Sequence, residues 1–154
     1  MLMRMSFAAG LVVITVVVHA LGLDVLLRTL FRSKALARTG FRPVTGMVIG
    51  LACWLVLVHA LEIVVWGLFY FWRGCLPDVE SAIYFSGVTY TTLGYGDVVL
   101  PREWRMLAPV EALTAILMCG LSTGLFFALV TVWVRNWMQK RTASDPHASI
   151  RTSD

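Results

Sequence analysis

Three long apolar stretches, each broken by one acidic residue, constrain this chain more than any other feature. Phe7 to Leu27 is interrupted only by Asp24, Val44 to Trp72 only by Glu62, and Met106 to Val134 only by Glu111. As helices rising 1.5 Å per residue, each would exceed the roughly 30 Å hydrocarbon thickness of a bilayer. The 154 residues are 58% hydrophobic and 14% charged, against about 45–50% and 25% in a soluble domain. A single core of this size cannot hide so much apolar surface, so lipid is the expected solvent. The pattern predicts an all-α membrane protein with three transmembrane helices and disfavours a soluble globular enzyme.

Charge placement sets an orientation. Thirteen Lys and Arg against nine Asp and Glu give a net charge of +4, and the cations cluster beside the apolar stretches: Arg28, Arg32, Lys34, Arg38 and Arg42 after the first, Arg135, Lys140 and Arg141 after the last. Such clusters read as cytoplasmic, lipid-facing segments of a multi-pass cell-membrane protein, not as a nucleic-acid surface. Only Arg4 precedes the first stretch. That asymmetry favours a retained helix with an outside amino terminus over a signal peptide. Trp66, Phe69, Tyr70, Phe71 and Trp72 at one span end, Trp104 before the third span, and Trp133 and Trp137 at its close read as interfacial belts. Residues 138–154 are polar and are expected to be a disordered cytoplasmic tail. Cys53, Cys75 and Cys119 have no metal-ligand spacing. Cys53 and Cys119 read as packing residues, and the state of Cys75 stays open.

Between the second and third spans lies an apolar segment too short to cross, 79–90. Pro77 and Asp78 give it a start signal, with Asp78 as N-cap and Glu80 facing the positive end of the helix dipole. It is expected to be a re-entrant helix. The following residues, Thr91-Thr92-Leu93-Gly94-Tyr95-Gly96-Asp97, cannot continue it. Non-helical backbone at membrane depth persists only where it lines a wet path or is buried in protein.

That seven-residue run, set between a short re-entrant helix and a long apolar one, resembles the selectivity filter of potassium channels, whose familiar TVGYG form surrounds the ion with backbone carbonyls. The resemblance is to the small bacterial pore-only members of the tetrameric potassium channel superfamily. It covers 44–137, with outer helix 44–72, pore helix 79–90, filter 91–97 and inner helix 104–137, and leaves residues 1–43 as an extra helix and basic loop. It implies a homotetramer in a bacterial inner membrane, with K+ as permeant ion, no cofactor, no small-molecule substrate and no enzymatic activity. The ion-binding run would be Thr92, Leu93, Gly94, Tyr95 and Gly96, with K+ held by the carbonyls of Thr92, Leu93, Gly94 and Tyr95 and the Thr92 hydroxyl closing the innermost site. Thr91, Asp97, Tyr84, Val88 and Trp104 would support it. Val88 stands where some members carry a glutamate that pairs with the aspartate after the filter. Asp97 is therefore expected to take a hydrogen bond from the Tyr84 hydroxyl or the Trp104 indole instead.

Gly120, where the family has a hinge glycine, and Phe127, which could narrow the inner mouth, are gating candidates. So are His59, Glu62 and Glu111, which are expected to face protein because a charge at helix centre costs about 2.5–3.5 kcal/mol on insertion scales. Asp24 and Arg28, four apart, are expected to pair. Two rival functions remain. Gly120-Leu121-Ser122-Thr123-Gly124 matches the G-x-S-x-G elbow of serine hydrolases, with His59 or His19 as base, although the elbow belongs on a strand-turn-helix and not inside an apolar helix. The other rival is a non-conducting, transporter-associated subunit built on the same pore fold.

The charge asymmetry around the first stretch yields a direct test. A protease-sensitive tag at the amino terminus should be cut from the outside of intact cells; cleavage from the cytoplasmic side only would refute the orientation.

Overall fold

A computed structural model of the chain describes residues 2–32 and 41–143. Four helices follow one another: α1 (Leu2–Arg32), α2 (Phe41–Trp72), α3 (Val79–Tyr90) and α4 (Leu107–Ala143). Three of them, over Met3–Arg32, Thr45–Trp72 and Leu107–Gln139, are long and apolar enough to cross a membrane. The all-helical membrane fold expected from the apolar stretches is present, and α3 has the bounds expected of the re-entrant segment.

Helix ends differ from expectation at three places, for local reasons. α4 begins at Leu107 and not at 104, because this places Pro109 in the first turn, where its missing N–H breaks no bond. A turn precedes it, with Trp104 N donating to Pro101 O at 2.8 Å and Leu107 N to Trp104 O at 2.9 Å. α2 starts at Phe41, three residues early, with Pro43 likewise in its first turn. α4 also continues through 138–143, against the expectation of a disordered tail. Met, Gln, Lys and Arg there are good helix formers, and Thr142 Oγ1 donates to Met138 O at 3.1 Å. The rest of the expected tail, and the middle of the basic loop with Lys34 and Arg38, lie outside the described residues.

α1 runs antiparallel to α2, in a register set by a ladder of cross-helix contacts. Phe7 packs on Phe69, the Trp66 indole donates to Thr15 Oγ1 at 2.9 Å, His19 meets Glu62, and the Trp54 indole donates to Gly22 O at 2.9 Å. Trp66 and Tyr70, expected at the membrane interface, are instead fully buried, Trp66 against Thr15 of α1 and Tyr70 against Phe85 of α3 and Glu111 of α4. Trp72 keeps the exposed position. One apolar cluster gathers Ala8, Leu11, Trp66, Tyr70, Phe85 and Trp104; a second, toward the other end, gathers Leu26, Leu30, Leu51, Leu55 and Leu129. Arg73 closes the first end, its guanidinium over the rings of Phe7 at 4.8 Å and Trp104 at 5.1 Å. Cys53 and Cys119, expected as packing residues, lie on the exposed surface, Cys75 is buried, and all three are free. Asp24 accepts from Arg28 Nε at 2.8 Å, as their spacing predicts.

Close approach of α2 and α3 depends on Gly67, where a Cβ would stand 2.9 Å from Ile83 Cα. Backbone cannot give as a flexible side chain can. Gly67→Ala should therefore lower stability by about 1–3 kcal/mol, whereas Gly87→Ala, whose Cβ meets Ile63 Cγ2 at 3.8 Å, should leave stability unchanged or raise it by up to about 1 kcal/mol. Thermal unfolding of the two variants in detergent checks the contrast.

Candidate functional site

The site begins where α3 is capped. Asp78 has extended backbone, φ −146° and ψ 165°, and its carboxylate accepts from Ser81 N at 2.7 Å and from the Ser81 hydroxyl at 2.9 Å. Those bonds hold the Asp78 carboxyl below the usual carboxylate range. With its N-terminus fixed, α3 delivers its carboxyl end to the Thr91–Asp97 segment.

α2 and α3 terminate in the same way, with one unusual difference. At the end of α2, Cys75 N donates to Tyr70 O and Gly74 N to Phe71 O, both at 2.9 Å, with Gly74 left-handed at φ 65°. This is the Schellman arrangement, which favours glycine at its left-handed position. At the end of α3, Leu93 N donates to Val88 O and Thr92 N to Thr89 O, both at 3.0 Å, and the left-handed residue is Thr92, at φ 61°. A β-branched residue there is strained, and Thr92 is the one non-glycine with positive φ among the described residues. The alternation then continues through Gly94 at φ 58° and Gly96 at 78°, while Leu93 and Tyr95 between them keep negative φ. Val88 O accepts a further bond from Gly94 N at 3.3 Å, and the Thr91 hydroxyl donates to Gly87 O at 2.6 Å. The last turn of α3 is thereby tied to the segment that leaves it.

On the far side of that segment, the Tyr84 hydroxyl donates to Asp97 Oδ2 at 2.6 Å. Of the two donors expected for Asp97, tyrosine makes the bond. Trp104 is turned instead into the aromatic cluster with Phe7 and Phe69. Val88 contributes its carbonyl, and its side chain lines the same groove as Tyr84, Thr92, Gly94 and Asp97. Leu93 and Tyr95 are exposed in the single chain.

Behind α3 lie two buried carboxylates, both fully enclosed by protein. Glu111 accepts from the Tyr70 hydroxyl at 2.7 Å and from the Ser86 hydroxyl at 2.5 Å. Glu62 accepts at Oε1 from His19 Nδ1 at 2.8 Å, and at Oε2 from the Tyr90 hydroxyl and from His59 Nδ1 at 3.3 Å. His59 Nδ1 is also 2.8 Å from the Tyr90 oxygen. Sequence reasoning singles out His59, Glu62 and Glu111 but not Tyr70, Ser86 or Tyr90. It meets His19 only in passing, as a possible base for Ser122. Ser86 and Tyr90, hydroxyl-bearing residues four apart on one face of α3, are the signal that could have found those two.

Ser122 Oγ lies 3.4 Å from His19 Nε2, so Ser122, His19 and Glu62 fall in the order of a catalytic triad. The chemistry of a triad is missing. Ser122 is buried in the unbroken helix α4, whose backbone N–H groups are committed to the helix, so no pair of free donors can form an oxyanion hole beside it. The hydrolase reading loses its geometric basis, and Ser122 is a partner for the histidine. Gly120 sits in the same unbroken helix with open space where a Cβ would be, and Phe127 is exposed. Neither joins the cluster around α3.

Residues 58–132 match a protein-family model described as "Ion channel", a stretch that takes in the second half of α2, all of α3, the Thr91–Asp97 segment and most of α4. The likeness supports an ion-channel pore domain there, with passive ion conduction, and the matched family is one of channels and not of enzymes. α1 lies outside it. Among curated proteins and among solved structures, nothing matches the chain.

Hydrogen bonding by Tyr84 holds the Asp97 carboxyl below its ordinary range. A depressed folded value means that this contact stabilises the fold above the ordinary aspartate range and ceases to do so as pH falls through the lowered value. Tyr84→Phe should move the Asp97 titration upward toward the ordinary range, measured by carboxyl-carbon NMR; an unmoved titration would show that the hydroxyl does not govern it.

Proposed function

We propose that the chain is one subunit of a fourfold, potassium-selective channel, in which the carbonyls of Thr92, Leu93, Gly94 and Tyr95 replace the water shell of K+ and the Thr92 hydroxyl closes the innermost site. The observation that carries this reading is the left-handed backbone at every second residue, Thr92, Gly94 and Gly96. An ordinary strand points successive carbonyls to opposite sides. Alternating the hand of the backbone rotates every other peptide plane, which lets a run of carbonyls share one side and face one axis. Glycine reaches these angles without steric cost.

Several further features favour the same reading. A single strand cannot surround an ion, and the groove lined by Tyr84, Val88, Thr92, Gly94, Asp97 and Ala112 leaves the segment open on one side. A ring of copies of this chain would close that side, and closed rings are the usual form of homo-oligomers. Apolar residues on α4, among them Leu113, Ile116, Leu117 and Leu121, remain exposed for lipid or neighbouring copies. The Tyr84 bond to Asp97 takes the place of the glutamate–aspartate pair expected in some relatives, bracing the outer end of the filter. The amino-terminal end of α1 packs beside Phe69, Arg73 and Trp104, which favours an outside amino terminus if Asp97 marks the outer mouth. Gly120 and Phe127 are proposed hinge and constriction of the inner helix.

Purified protein in liposomes under opposed potassium and sodium gradients should show a reversal potential close to that of potassium. Comparable permeabilities would overturn the selectivity, and absence of flux would favour the transporter-associated subunit. Gly94→Ala places a Cβ on a left-handed residue, a conformation that costs roughly 1–2 kcal/mol, once in every copy around the ring. That variant should retain its helical circular dichroism and lose conduction.

A further inference from the structure

We propose that His19, His59 and Glu62 form a binding site for a divalent transition metal, with Zn2+ as the reference ion, which joins α1 and α2 beside the carboxyl end of α3. This site is distinct from the proposed K+ positions and does not depend on potassium selectivity.

His19, His59 and Glu62 each bring one donor atom to within 4.8 Å of the other two. His19 Nδ1 is 2.8 Å from Oε1 and His59 Nδ1 is 3.3 Å from Oε2. Two imidazoles and one carboxylate make a ligand set that Zn2+ uses widely, with bonds of about 2.0–2.2 Å, so neighbouring donors around a tetrahedral ion stand about 3.3 Å apart. The separations here are of that order and within the range that side-chain torsions cover. Oxygen-preferring cations such as Mg2+ and Ca2+ would gain little from two imidazoles.

A carboxylate that needed only hydrogen-bond donors would be satisfied by His19 and Tyr90. The second imidazole is surplus to that need, yet it presents the same ring nitrogen to the same carboxylate, with the two ring centroids 5.4 Å apart. His19 also carries the partner that metal-binding histidines require: Ser122 Oγ lies 3.4 Å from its other nitrogen, Nε2. With Nδ1 on the metal, the ring proton sits on Nε2 and Ser122 accepts it, which fixes the tautomer and the ring plane. Ser122 is thus a positioning residue. Tyr90, hydrogen-bonded to Glu62 and to His59 Nδ1, offers a phenol oxygen beside the same three side chains as a fourth donor or as the anchor of a bound water. His19 and Glu62 are buried and His59 is partly exposed, so His59 is the side from which an ion arrives.

Position gives the site its consequence. The ligands come from α1 and α2, and Tyr90 immediately precedes Thr91 and Thr92. An ion held there would lock the additional helix α1 to α2, beside the end of α3 from which the proposed filter departs.

The test uses the full chain without an affinity tag, purified in detergent and stripped with a chelator. Titration with Co2+ should give the visible absorption of a four-coordinate ion at one equivalent per chain, displaced by Zn2+ and not by Mg2+ or Ca2+. His59→Asn should abolish that absorption, and His147→Asn, which removes the remaining histidine of the sequence, should leave it intact. Ser122→Ala should weaken Zn2+ binding about tenfold through loss of the His19 partner. Zinc should also raise the unfolding temperature of the unaltered protein, as a ligand of the folded state must. An absorption that survives His59→Asn, or its absence from the unaltered protein, would overturn the proposal. Should His59→Asn not fold, X-ray absorption at the zinc edge of the unaltered protein decides: two imidazoles with oxygen donors support the site, and fewer than two imidazoles refute it.

Discussion

A carboxylate within a hydrocarbon slab has no water to answer it, and the architecture around α3 follows from how Glu62 and Glu111 are answered. Glu62 on α2 draws His19 from α1 and Tyr90 from α3; Glu111 on α4 draws Tyr70 from α2 and Ser86 from α3. All four helices therefore meet at two buried acids. The short helix gains most, because its twelve residues cannot span a bilayer and have only their neighbours for anchorage. Ser86 and Tyr90, one turn apart, fasten one face of it. Tyr84 and Val88, also one turn apart and a little over half a turn around from the first pair, serve the departing segment from the other.

That division of faces accounts for a strained backbone at the end of α3. Two Schellman terminations occur among the described residues, and the one at Gly74 uses the residue that suits it. The other places threonine in the left-handed position, where only the surrounding bonds from Thr91, Thr92, Leu93 and Gly94 to carbonyls 87–89 can keep it. Strain of this kind persists where the neighbourhood over-determines it, and such positions concentrate at working sites. Glycine in that place would lack the hydroxyl that the proposed innermost ion site uses.

Much of this is legible in the sequence because its signals are local. Span length follows from apolar run length, the start of α3 from Pro77 and Asp78, and the Tyr84 bond from its one-turn spacing to Val88, whose apolar side chain cannot serve Asp97. What stays hidden is which side of each long helix faces protein. In water an apolar stripe reports its buried face, but lipid tails are as apolar as leucine, so α1 and α2 show no stripe to read. Hence Trp66 and Tyr70 resemble interfacial aromatics although α1 meets the first and α3 and α4 enclose the second, and His19 stands out only as a possible base. Helix ends misjudged by a few residues trace to Pro43 and Pro109, each of which is welcome in a first turn, and to the helix-forming residues after Trp137.

The antiparallel pairing of α1 with α2 also bears on how the chain is made. Synthesis delivers α1 to the bilayer before α2. When Glu62 follows, 43 residues behind His19, the imidazole that it needs is already at the matching depth, so the two helices can settle as a hairpin without the acid ever facing lipid alone. The order of helices along the chain thus works as a built-in escort. Glu111, emerging last, meets Tyr70 and Ser86 already waiting for it.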